Sequence, residues 1–171
     1  MSADSAASLS IAPATERDVA VILGFIRKLA EYEKLSHQVT ATEEVLRDTL
    51  FGPRRVAEVL IAYLGNEPAG FALYFHNFST FLGRPGIYLE DLFVEPAHRG
   101  KGIGKALLIE IARIAKERDC GRFEWAVLDW NQPAIEFYRG LGAIPLDDWR
   151  LFRVTGEALD NLAAQKRATS A

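Results

Sequence analysis

The sequence predicts a mixed α/β domain: one sheet with helices packed on it. Three observations point there. Strand-like apolar runs and helix-period segments alternate from about residue 8 to about residue 163, without internal repeat or linker. At 171 residues the chain is long enough for one sizeable core. Its composition, 49% hydrophobic and 25% charged, is ordinary for a globular protein.

Taken in order, residues 8–14 (SLSIAPA) read as a first strand. Thr15 and Asp18 have the spacing of a capping box, in which each side chain can reach the other's backbone N–H, so a helix is predicted from about Thr15 to Lys34. Thr40 and Glu43 repeat that spacing and predict a short helix that stops near Phe51-Gly52-Pro53. VAEVLIAYL and PAGFALYFHNF, separated by GNE, form a hairpin signal, and IYLEDLFVEP is a third long strand. After a run of glycines, Ile103, Leu107, Ile111 and Ile114 recur at spacings of four, four and three, one face of a helix. RFEWAVLD reads as a strand, NQPAIEFYRGLG as a helix ended by Gly140 or Gly142, WRLFRV as a final strand, and TGEALDNLAA as a last helix. The expected order is β-α-α-β-β-β-α-β-α-β-α, with a single domain over residues 9–165. Residues 1–8 are small and polar and are expected to be disordered, and the tail 166–171 to fray.

Charge and cysteine content narrow the function. Twenty Lys and Arg against 23 Asp and Glu leave a net charge of −3 with no like-charge run, which argues against a nucleic-acid partner. The single cysteine, Cys120, cannot close an internal disulfide, and MSADSAAS has neither the basic flank nor the apolar stretch of a signal peptide. No segment approaches membrane-spanning length. The expected location is cytoplasmic, with no membrane partner. His37, His76 and His98 share no metal-ligand spacing, so no metal is expected.

The glycine-rich stretch is EDLFVEPAHRGKGIG, a strand that ends in a turn and re-enters as a helix. The dinucleotide fingerprint fails, because its third glycine position, counted from Gly100, is Lys105. The Walker pattern fails as well: Arg99 holds its first glycine position and Ala106 follows Lys105. What remains is Arg99-Gly100-Lys101-Gly102-Ile103-Gly104. Residues without side chains let backbone N–H groups crowd an anion, and the helix dipole favours negative charge. A ligand-free tight turn would use the same glycines, so the turn alone leaves both readings open.

The following segments carry a resemblance. RGKGIG, YLEDLFV, IRKLAEYEKLSHQV, AVLDWNQPAIEFYRGLGA and WRLF together resemble the GNAT acetyltransferases, nearest to the spermidine/spermine and thialysine group. The resemblance spans about residues 9–163. It implies a mostly antiparallel mixed sheet with one splayed strand pair, flanked by helices, and acetyl-CoA as co-substrate. It further implies that the turn Arg99, Gly100, Lys101, Gly102, Ile103, Gly104 and Lys105 binds the pyrophosphate. The backbone of Leu92, Phe93 and Val94 would serve the pantetheine arm in the splay, with Asn131, Pro133 and Ala134 meeting the same arm. Homodimers, with WRLFRV near the subunit contact, are the family habit.

The chemistry supplies roles. A free amine titrates near ~10.4, so it is mostly protonated at neutral pH and must lose a proton to attack. Glu90 is the candidate acceptor, directly or through a water. The oxyanion formed needs fixed N–H donors, which the 92–94 backbone offers, and Tyr138 is the candidate donor to the departing thiolate. Asn131 caps its helix and Tyr138 lies seven residues on, on nearly the same face. Glu90 and Asp91 are both candidates to hold the amine, but strict strand alternation puts them on opposite faces, so only one should face it unless a bulge intervenes. Tyr32 and Glu33 match family positions that contact the amine, and Asp147 and Asp148 lie near another acidic one. Ser79-Thr80 matches the thialysine type rather than the polyamine type, which favours a small diamine or lysine-like acceptor. A protein acetyltransferase and a non-catalytic acetyl-CoA-binding module are the alternatives. Cys120 has no part in this chemistry.

Overall fold

The computed structural model describes residues 7–165. The expected disorder of 1–8 falls mostly outside that range, and the expected fraying of 166–171 wholly so. The chain divides into two compact units, Met1–Ala126 and Val127–Ala171.

The first unit holds β1 (Leu9–Pro13), α1 (Val19–Tyr32), α2 (Glu43–Phe51), β2 (Glu58–Leu64), β3 (Glu67–Ser79), β4 (Arg84–Val94), α3 (Ile103–Glu117) and β5 (Phe123–Trp125). The strands form one sheet in the order β1-β2-β3-β4-β5. All neighbours are antiparallel except β4 and β5, which are parallel. The parallel ladder covers only Ile87↔Phe123 to Leu89↔Trp125, while β4 runs on to Val94. β5 ends at Trp125, so the second half of β4, from Glu90 to Val94, has no parallel partner among the described residues.

Alternation sorts the sheet into two apolar faces. Val59, Ile61, Phe71 and Phe93 face Val19, Ile22, Leu23 and Phe25 of α1 and Leu46 and Leu50 of α2. Phe25 stacks on Phe71 with ring centroids 5.3 Å apart. Leu60, Ala62 and Ala72 are buried in alternate positions, and α3 buries Ile103, Leu107, Leu108 and Ile111. Full burial of each such side chain contributes about 1.5–3 kcal/mol. At the far end of α3, Arg118 closes on Glu58, with Nη2 donating to Oε2 at 2.8 Å. The Tyr74 hydroxyl also donates to that carboxylate, 3.4 Å away.

Local signals explain most boundaries. The Asp18 carboxylate accepts from the Thr15 N–H at 2.7 Å and from its hydroxyl at 2.8 Å, so the first box forms as expected, opening a short 3-10 turn (Glu16–Asp18) before α1. The second box does not form at Thr40. The cap of α2 is Thr42, whose Oγ1 accepts from the Val45 N–H at 3.3 Å. Thr40 and Thr42 both precede acidic residues, and only the backbone path decides which is extended next to the helix. The hairpin between β2 and β3 turns on Gly65-Asn66, with Gly65 at φ 61°.

The second unit holds α4 (Gln132–Gly140) and α5 (Gly156–Ala163). Two strand expectations are corrected. RFEWAVLD gives only the three residues of β5. WRLFRV is not a strand: residues 149–154 are irregular, with Trp149, Leu151 and Phe152 all exposed. Apolar alternation needs a neighbouring strand to bond with, and among the described residues this segment has none.

Candidate active site

The site in the first unit is built on the second half of β4. Here the register steps from Tyr74↔Leu89 to Leu73↔Asp91, so Glu90 is an extra residue in the strand. The extra residue inverts the alternation. Ile87 and Leu89 lie on the α3 side, with Tyr74; Asp91 joins Leu73, Phe71 and Phe93 on the α1 side. Strict alternation would have left Asp91 in the apolar layer beside Leu89. The bulge instead turns it toward the C-terminal end of α1, which carries Tyr32 and then Glu33.

Electrostatics register this gathering. The Asp91 carboxyl is pushed up to about 6, chiefly by burial, then by the charges of Glu90 and Glu33. Burial also raises Glu33. Glu90 is exposed. Three carboxylates from two elements thus share one region, which suits a cationic ligand: a bound ammonium relieves the repulsion that raises Asp91. The residue pattern hinted at this by setting two adjacent carboxylates inside an apolar strand, and the family resemblance by matching Glu33 to a position that contacts the amine.

After Val94 a 3-10 turn (Pro96–His98) leads to the glycines. Gly100 and Gly102 have φ 76° and 79°, in the left-handed region that glycine enters without penalty. A Cβ at either would meet no heavy atom within 4 Å. Open space over two bare backbone positions at the start of α3 is a cradle that a Cβ would fill, and it fits a phosphate group of acetyl-CoA. Gly102 is the N-cap, and Ile103, 1% exposed, begins the helix. Lys101 Nζ lies 3.4 Å from His98 Nδ1. Gly104 lies close to Val94, whose Cγ2 would be 3.7 Å from an added Cβ; Lys105 is exposed on the first turn.

Arg99 is exposed, yet its side chain folds back over the end of β4 and α1, which the sequence did not announce. Its Nε donates to the Val94 carbonyl at 3.1 Å. Its guanidinium lies 4.9 Å from the centroid of the Tyr32 ring and 5.8 Å from that of Phe93. Lys28 of α1 pairs with Glu95 just upstream.

Within the second unit, the Asn131 side chain caps α4, its Oδ1 accepting from the Ala134 N–H at 3.4 Å, with Pro133 in the first turn. Asn131, Ala134, Ile135 and Tyr138 are half-buried while Gln132, Pro133, Glu136 and Phe137 are exposed, so the first four share a face. The Phe137 and Tyr138 ring centroids are 5.4 Å apart. Asp147 and Asp148 are exposed in a turn.

Two side chains take local roles. Ser79 is buried and its Oγ accepts from the Leu82 N–H at 3.3 Å, tying the β3–β4 loop. Burial raises the Cys120 thiol, which makes it a poor nucleophile. Among the described residues, no group of three or more His, Cys, Asp or Glu is arranged to hold a metal ion, and no helix is long and apolar enough to cross a membrane.

Comparison with known proteins meets this geometry from outside. The family model described as Acetyltransferase (GNAT) family matches residues 24–143. A thialysine N-epsilon-acetyltransferase of Sus scrofa is 42% identical over 170 residues, covering 93% of this chain and 99% of the relative. An L-ornithine N5-acetyltransferase of Arabidopsis thaliana is 34% identical, covering 85% of this chain and 84% of the relative. Among solved structures, an integron cassette protein from the V. cholerae mobile metagenome superposes with a TM-score of 0.79 at 28% identity, covering 92% of this chain and 99% of that one. A mixed sheet with one parallel pair, a bare glycine turn opening α3, and a family match across most of the chain agree: the chain belongs to the GNAT acetyltransferase family.

Proposed function

We propose that the protein acetylates a primary amine of a small cationic acceptor, a diamine or a lysine-, thialysine- or ornithine-like molecule, by direct attack. The observation that carries this is the grouping of Glu33, Glu90 and Asp91 by the β4 bulge, with Asp91 raised to about 6 by burial and by the charges of Glu90 and Glu33. The names of the thialysine and ornithine relatives support it.

Acetyl-CoA supplies the acyl group as a thioester. The N–H groups of the turn from Arg99 to Lys105 hold its pyrophosphate, and the backbone of Leu92, Phe93 and Val94 runs along the pantetheine and donates to the acyl oxygen. Asn131, Pro133 and Ala134 contact the same arm. Tyr32, Glu33 and Asp91 hold the cationic acceptor. Glu90 takes the ammonium proton, directly or through a water, and the Tyr138 hydroxyl protonates the leaving sulfur. Exposed Trp149, Leu151 and Phe152 support a homodimer contact in that segment, and the lone Cys120 supports a reducing, cytoplasmic setting.

The test is CoA-thiol release on a panel of lysine, thialysine, ornithine, spermidine and a lysine-bearing peptide. The amino-acid diamines should rank first and the peptide last. Tyr138→Phe should keep most of the CoA affinity and lose about 100- to 10,000-fold in turnover. A peptide ranked first would overturn the acceptor class, and near-normal turnover of the variant would remove Tyr138 from the chemistry.

A further inference from the structure

We infer that Arg99 is a positioning residue, whose side chain links the cofactor turn to the amine end of α1 through the ring of Tyr32. The turn has little packing of its own, since added Cβ atoms at Gly100 and Gly102 would touch nothing within 4 Å. Its place must therefore be set from its flanks. Downstream, buried Ile103 anchors it in the α3 core. Upstream the anchor is Arg99, an exposed side chain whose head group makes three contacts, all with β4 and α1. Nε holds the last carbonyl of β4 at 3.1 Å, and the guanidinium packs on Tyr32 at 4.9 Å and Phe93 at 5.8 Å.

The contacts join regions with different tasks. Phe93 belongs to the half of β4 that runs beyond its ladder with β5, and Tyr32 is followed by Glu33, whose charge acts on Asp91. An anion that orders Gly100 constrains the Arg99 backbone, and Arg99 in turn constrains the Tyr32 ring. The planar guanidinium can stack on two rings while its Nε holds a carbonyl, whereas an ammonium is a point charge with no planar face to stack. Glycine turns of this kind need only backbone amides for the anion, which leaves this side chain for another purpose.

The cofactor half of the inference stands without the proposed acceptor; the amine half rests on it. Calorimetry with CoA on Arg99→Gln, Tyr32→Leu and the double variant tests the first half, with Tyr32→Phe as the ring-keeping control. Each single change should weaken CoA binding about two- to fivefold, the range of one exposed cation–π contact. The double variant should be no weaker than Arg99→Gln alone, and Tyr32→Phe should match the parent. Arg99→Lys should recover part of the loss. Parent-like CoA affinity in Tyr32→Leu, or fully additive losses, would overturn the link. Melting temperatures are read alongside, and Tyr32→Gln replaces Tyr32→Leu if that variant does not fold. At saturating acetyl-CoA, Arg99→Gln should then raise the amine KM more than it lowers kcat. Absence of amine turnover in the parent protein would count against the acceptor reading, while the CoA cycle still decides the role of Arg99.

Discussion

Gly102 couples backbone conformation to ligand binding at a single position. At φ 79° a β-branched residue is strained by roughly 1–3 kcal/mol. Because nothing lies within 4 Å of its Cβ site, no clash inside the protein adds to that. Gly102→Val should therefore fold with a melting temperature lowered by about 2–12 °C, and it should lose CoA binding. Gly83→Val is the matched control: Gly83 has φ 61° and no neighbour within 4 Å, but lies in the β3–β4 loop. Equal melting losses with CoA affinity lost only at Gly102 is the expected pattern in calorimetry. Retained affinity in Gly102→Val would reduce the cradle to a turn.

Among the elements, α2 shows how a cap is chosen. Thr40 and Thr42 are both plausible caps by composition, and Thr42 alone receives a helix N–H. Thr42→Ala should cost about 1 kcal/mol, a fall of roughly 2–4 °C in melting temperature for a chain of this size. Thr40→Ala should change it little. A larger effect at Thr40, measured by denaturant unfolding, would contradict the assigned cap. The β4 bulge is a related case on a larger scale. One extra residue re-aims an entire half-strand, and no propensity along LEDLFV specifies it, because the step is defined by the pairing with Leu73 and Tyr74 of β3.

At the scale of the whole molecule, the carboxylate group makes stability depend on pH. Asp91 titrates near 6 in the folded chain against an ordinary aspartate value of 3.8, so the folded state binds the extra proton between those values. A raised carboxyl stabilises the fold below the unfolded pKa, and that contribution is lost as pH rises through about 6. The full shift corresponds to about 3 kcal/mol. Asp91→Asn should then raise the melting temperature at pH 8 and flatten its fall between pH 4 and pH 6, while weakening the proposed amine site. An unchanged pH profile would mean that Asp91 is solvated rather than crowded. A cationic acceptor should reverse the trend in the parent protein, stabilising it most above pH 6.

Residue pattern is enough to set the order of most elements, the Thr15–Asp18 box, the Asn131 cap and the glycine turn, because each rests on residues within a few positions of one another. The apolar periods of α1, α3 and the long hairpin are legible for the same reason. The folded chain decides the rest. Whether Thr40 or Thr42 caps, whether Asp91 faces α1 or α3, and where Arg99 points all depend on partners distant in the chain. WRLFRV carries a strand pattern without a neighbouring strand among the described residues, and alternation is only an offer of one face. A strand exists where another backbone completes its hydrogen bonds, and that is a property of the fold rather than of the segment.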